Sequence, residues 1–284
     1  MMKNSGRKNQ APFMRELLKF GWVYFFMTLI NLRVKMLLTP AWNDGILERN
    51  HKLLLAFQYT NNEQSRLLQF YIPELFRYLF GLSISHAYIL QRWLFVFLAF
   101  LCFHFYLRKW FDAKLAFVGV LFLAAIMPLS YYDHLQESAP FLLLTFLLAL
   151  WAIREHHTLW YMVVLGIGAF NNETILFLPS VFFCYNFKSF DFRSLVRLSL
   201  KTLGSCLPAC FVVGTIRYIN RDRPHLGGAW HWPSNVDGIL KHSQMFLLDY
   251  WQATYLYIFL FLGRFGCMHF SGIQRNHCFY NGQV

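Results

Sequence analysis

Long apolar runs, separated by short polar stretches rich in Lys and Arg, divide the chain into a series of membrane-spanning candidates. They fall at about residues 17–38, 86–107, 115–129, 140–153, 202–219 and 245–262, the 202–219 run being broken by Pro208. Residues 160–187 are equally apolar, but Asn171-Asn172-Glu173-Thr174 interrupts them at the middle, where polar groups are most costly in lipid. A single crossing there would put Lys188, Arg193, Arg197 and Lys201 on the opposite side from Arg108, Lys109, Lys114 and Arg154, against the positive-inside rule. The pattern therefore predicts a hairpin of two short helices, 160–170 and 174–187.

Between the first two spans, residues 40–85 are too polar to cross a bilayer. They nevertheless carry amphipathic pieces, such as Leu53-Leu54-Leu55 and Leu75-Phe76, and read as helices lying in the interface of a first outer loop. Residues 220–243 form another large outer loop. Residues 264–284 lose helical period and are read as an irregular tail, frayed, truncated or non-native, after a single transmembrane domain at 1–263.

Composition agrees with this patterning: 57% of the 284 residues are hydrophobic and 14% charged, against about 25% charged in soluble domains. Mean hydropathy is +0.36. The fold class expected is all-α, a polytopic transmembrane helical bundle with interfacial helices. The net charge of +12 is ascribed to loops facing an anionic leaflet, since no nucleic-acid-binding motif accompanies it. The N-terminal run is longer than a signal-peptide core and no small-residue cleavage site follows, so it reads as a retained span with a cytoplasmic N-terminus, in a bacterial inner membrane.

Polar residues inside the spans are few. Asn31, Arg33 and Lys35 close the first span and are read as snorkelling to the far interface, the alternative being that they face a protein interior. Cys206 and Cys210 share a helix face, His156 and His157 are adjacent, and His225, His231 and His242 lack a metal-motif spacing, so no metal site is assigned. Phosphate-loop, HExxH and GxSxG patterns are absent from the sequence, which removes the common ATP-driven, metalloprotease and serine-hydrolase classes.

The remaining candidates for chemistry lie in the loops. Asp44 follows the first span within Asn43-Asp44-Gly45, a strong turn signal that accounts for the acid without chemistry. As a base, it could take a proton from an acceptor hydroxyl. Asp133 and Glu137 stand in the next outer loop, as solvated or helix-capping acids or as substrate contacts. Arg221 and Arg223, on the same predicted side, could offset a departing phosphate. Asn171 and Glu173 are read as structural groups that hydrogen-bond at the helix break.

A long outer loop that opens with Asp44, and Gly166-Ile167-Gly168-Ala169-Phe170-Asn171-Asn172-Glu173-Thr174 ahead of Leu178-Pro179, resemble the C-type glycosyltransferase superfamily. That resemblance implies a multispanning enzyme moving a sugar from a polyprenyl-phosphate donor to a glycan, lipid or protein acceptor outside the cytoplasmic leaflet. It implies a catalytic Asp44, and Asp133 or Glu137 as a second acidic position. The chain lacks the Lys often found at the polar break of that family. No cofactor is assigned, a divalent cation being left open. The rival reading is a transporter or flippase-like component, or an inactive relative.

Overall fold

The computed structural model describes residues 10–39, 45–59, 62–130 and 137–221, all within one compact unit. The span expected at 245–262, the outer loop beyond residue 221 and the tail lie outside the described residues. Among the described residues the protein is all-α: α1 (Gln10–Leu38), α2 (Ile46–Leu55), α3 (Leu67–Phe80), α4 (Ile84–Leu107), α5 (Ala113–Ile126), α6 (Ser138–Arg154), α7 (Thr158–Asn171), α8 (Leu178–Asn186) and α9 (Phe192–Ile219). Three of these, α1 from Arg15, α4 and α9, are long and apolar enough to cross a membrane.

Local chemistry sets several boundaries. Ser83, Asp112 and Asp191 cap α4, α5 and α9 by accepting backbone N–H bonds from His86, Leu115 and Ser194. Gly81 ends α3 at φ +64°, a conformation in which a side chain is strained. Because Asp191 starts a helix, residues 192–201 extend α9 ten residues ahead of the expected start at 202. The expected break at Pro208 is not found, and α9 continues through it, as helices of membrane proteins tolerate.

α4 is the hub, packing on α1, α3, α5 and α6, while α6 passes contact on to α7 and α7 to α9. One core joins Tyr24, Val96, Phe100 and Val120; another joins Ala149, Ala152, Val164, Leu165, Ile175 and Ala209. Outward-facing positions are also apolar, among them Trp22, Ile30, Phe122 and Phe211, as suits surfaces that meet lipid.

Polar ties hold the two ends of the bundle. At one end Arg154 Nη2 donates to the Lys109 carbonyl (3.0 Å), Lys109 pairs with Glu155 (2.9 Å), and the His156 and Tyr185 rings approach to 6.1 Å. At the other, Asn171 Nδ2 donates to the Ser138 carbonyl (2.9 Å). The chain therefore turns back after Asn171: Tyr161 of α7 stacks on Phe182 of α8, with ring centroids 5.1 Å apart. Close approach at this corner depends on Gly168, where an added Cβ would stand 2.9 Å from Ile175 Cγ1.

The inward-facing residues of α1 correct the snorkelling expectation. Asn31 and Lys35 are buried, and only Arg33 is exposed. With Tyr24, Thr28 and Thr39 they form a buried stripe at three- and four-residue spacing, one face of a helix. Phe20, Met27, Leu32 and Met36 flank this stripe inside the bundle, while Trp22, Phe26, Ile30 and Leu37 face outward.

In a background cleared of native cysteines, Ser189→Cys and Phe111→Cys will react with a membrane-impermeant maleimide from the same side. Labelling from opposite sides would contradict the fold-back of α7 on α8.

Candidate functional site

A buried set of charged groups lies at the end of the bundle where α1 finishes, α4 and α6 begin and α7 ends. Glu137 is its centre. It directly precedes α6 but does not cap that helix; its carboxylate turns inward instead. Arg92 Nη1 bridges both carboxylate oxygens at 2.7 Å, and Lys35 Nζ lies 3.8 Å from Oε1. All three side chains are at most 2% exposed. Glu137 is thus neither a solvated loop acid nor a cap. Two cations share this carboxylate in a dry setting, where removing the carboxylate alone would be severe.

The neighbouring residue extends the set. Ser138 Oγ accepts a hydrogen bond from Arg66 Nη1 (3.3 Å), and that nitrogen also pairs with the buried Glu63 (2.6 Å). The start of α6 is thereby tied to α1, α4, α7 and the segment before α3. Gln91, beside Arg92 and 1% exposed, reaches the Gln69 carbonyl (3.4 Å).

One turn before Arg92, Tyr88 begins a second network. His51 of α2 lies between Tyr88 and Glu74: its Nδ1 is 3.0 Å from the Tyr88 hydroxyl and its Nε2 is 2.7 Å from Glu74 Oε1. Arg77 donates twice to the other oxygen of Glu74 (3.0 and 2.8 Å). Burial pushes the His51 pKa down, and the opposing pull of Glu74 does not reverse it. For Glu74, burial would raise the pKa, but hydrogen bonds from His51 and Arg77 hold the carboxyl below its ordinary value. A neutral His51 therefore donates through Nε2 to Glu74 and accepts the Tyr88 hydroxyl proton at Nδ1.

The other candidates are dispersed. Asp44, Asp133 and Arg223 lie outside the described residues. Gly45, directly after Asp44, has φ +71°, a left-handed conformation suited to the turn read from Asn43-Asp44-Gly45. Arg221 is exposed just past α9, its guanidinium 4.4 Å from the Tyr218 ring centroid. Asn171 is buried and bridges to α6, while Glu173 is exposed and pairs with Arg217 of α9 (Nε–Oε2 3.2 Å). The break itself is capped by Asn172, whose Oδ1 accepts from the Thr174 N–H and hydroxyl. Among the described residues, no group of three His, Cys, Asp or Glu side chains is placed to hold a metal ion.

Sequence reasoning missed Arg92, His51, Glu74 and the Glu63–Arg66 pair. Arg92 carried a usable signal, since an ionisable residue inside a span faces a partner or a cavity by default. His51 and Glu74 carried none, because their pairing depends on how two short helices meet. No family model matches the chain, and no curated protein and no solved structure matches it.

Glu137→Gln will lower stability by about 3–5 kcal/mol in detergent unfolding, because both cations then lose their shared carboxylate. The apolar triple change Lys35→Met, Arg92→Met, Glu137→Leu will cost less than Glu137→Gln alone; a larger loss would show that the three groups are not one electrostatic unit.

His51 also sets a pH dependence. Its native pKa lies below the unfolded value of about 6.5, so its contribution is complete above that pH. It is lost as pH falls through that value towards the native pKa, where the unfolded chain takes up the proton first. Unfolding between pH 7 and 5 will show this loss, with a slope of at most about 1.4 kcal/mol per pH unit from this group. His51→Gln will flatten it, and an unchanged slope would remove His51 as its source.

Proposed function

We propose that the chain is a membrane glycosyltransferase of the C type. In this reading it moves a sugar from a polyprenyl-phosphate carrier to an acceptor at the extracytoplasmic face, with Asp44 as the base. The N-terminus and the basic turns at Arg108, Lys109, Arg154 and Lys188 face the cytoplasm of a bacterial inner membrane, in keeping with the positive-inside rule.

The observation that carries the reading is the meeting of Lys35, Arg92 and Glu137 at the end of the bundle where the chain enters both acid-bearing segments. Lys35 precedes residues 40–44, and Glu137 follows residues 131–136. Cations held at the base of both segments and shielded from water are suited to a departing phosphate, because electrostatic stabilisation is strongest where the dielectric is low. Glu137 then holds the cations in place and does not touch substrate.

A groove of about 660 Å³ adds support. It runs along α1 and α4 to the C-terminal end of α3 and is lined by Leu29, Leu32, Phe80, Ile89 and Trp93 among others. Its apolar walls and size are suited to part of a prenyl chain. Transport is the rival reading, since buried ionisable groups in membrane bundles also mark transport pathways.

Purified protein given labelled polyprenyl-phosphate sugars will transfer the sugar, and Asp44→Asn will slow transfer by about 10²-fold or more at unchanged thermal stability. Equal rates for the two proteins, or no transfer by the wild type with any donor, would overturn the proposal.

A further inference from the structure

α9 is longer than a crossing requires. Its 28 residues extend about 42 Å, whereas about 20 residues cover the hydrocarbon core. The surplus lies at its N-terminal end, where Arg193, Arg197 and Lys201 recur every fourth residue on one exposed face. Among the described residues no carboxylate pairs with Arg193 or Arg197, and the Lys201 ammonium rests 5.5 Å from the Phe182 ring centroid. Asp191, the nearest acid in sequence, is engaged with the Ser194 N–H (3.1 Å). Elsewhere in the bundle many cations lie against carboxylates, Arg108 and Lys109 at the same end and Lys35, Arg66, Arg77, Arg92 and Arg217 at the opposite one.

One residue round the helix from the cations runs an exposed apolar stripe of Phe192, Val196, Leu200 and Leu203, preceded by Phe190, which is 85% exposed. The third face, with Leu198, Ser205 and Ala209, is held against the rest of the bundle. Exposed cations beside exposed phenyl rings, on the overhang of a membrane-length helix, match the boundary between headgroups and acyl chains.

We propose that this stripe docks anionic phospholipid headgroups. Arg193, Arg197 and Lys201 bind their phosphates, while Phe190 and Phe192 enter the acyl boundary. Charge complementarity selects this occupant, and the phenyl rings favour a lipid over an acidic protein segment, which would leave them in water. The inference stands apart from the glycosyltransferase reading.

The test uses the full chain in neutral-detergent micelles doped with phosphatidylglycerol or with phosphatidylcholine, followed by thermal melting and by native mass spectrometry of retained lipid. Phosphatidylglycerol will raise Tm above the phosphatidylcholine value and will be retained preferentially. The triple change Arg193→Gln, Arg197→Gln, Lys201→Gln will abolish both effects while leaving Tm in phosphatidylcholine unchanged. The expected loss of apparent affinity is about fivefold per cation. A control with Arg33→Gln, Arg49→Gln and Lys52→Gln, all exposed at the opposite end, will keep both effects. Retention of the wild-type preference by the first variant, as would follow if the stripe served an acidic protein, would overturn the proposal. Loss of the preference in the control would do the same.

Discussion

The described bundle depends on a single carboxylate. Glu137 draws in two cations from helices that would otherwise repel one another, and it does so where no side chain of the three is exposed by more than 2%. Such a triad is a weak source of net stability, because desolvating three charges offsets most of their attraction. Its contribution is specificity. Rotating α1 or α4 about its axis would leave a buried charge without its counter-charge, so the triad selects one register among many apolar packings of similar energy.

That constraint orders the neighbouring elements. With α4 fixed by Arg92, Tyr88 lies one turn away to receive His51, and His51 with Glu74 fastens the short helix α2 to α3 and α4. The arrangement recurs at the opposite end, where the Tyr24 hydroxyl meets His104 Nδ1 (2.6 Å), His104 Nε2 meets Glu16 (2.9 Å) and Arg108 donates to Glu16 (2.6 Å). Both ends of α4 are therefore held by tyrosine–histidine–glutamate–arginine chains, and the middle of the helix by hydrocarbon.

Much of the architecture was legible because membrane spans are read from run length, which needs no knowledge of partners. The interruption at Asn171 to Thr174 was equally plain, since four polar residues at mid-span are tolerated only where they are buried in protein or line a cavity. The extension of α9 was hidden, because Arg193, Arg197 and Lys201 resemble a loop until Asp191 is recognised as a cap. Within the site, Glu137 was legible as an acid ahead of a helix, solvated, capping or in contact with substrate, but not as the partner of two buried cations. Whether an acid before a helix caps it or turns inward is decided here by Arg92, 45 residues earlier in the chain, and by Lys35, which is more distant still. The polar face of α1 was visible in the spacing of Tyr24, Thr28, Asn31, Lys35 and Thr39, once the inward side of a membrane helix is sought among its polar residues.

The sequence distance between Lys35 and Glu137 also bears on biosynthesis. At about 5–20 residues per second, the carboxylate shared by Lys35 and Arg92 leaves the ribosome roughly 5–20 seconds after Lys35 does. Until then the polar stripe of α1 has not met the start of α6. Final docking of the first helix is therefore a late event, timed by the synthesis of a residue in the middle of the chain.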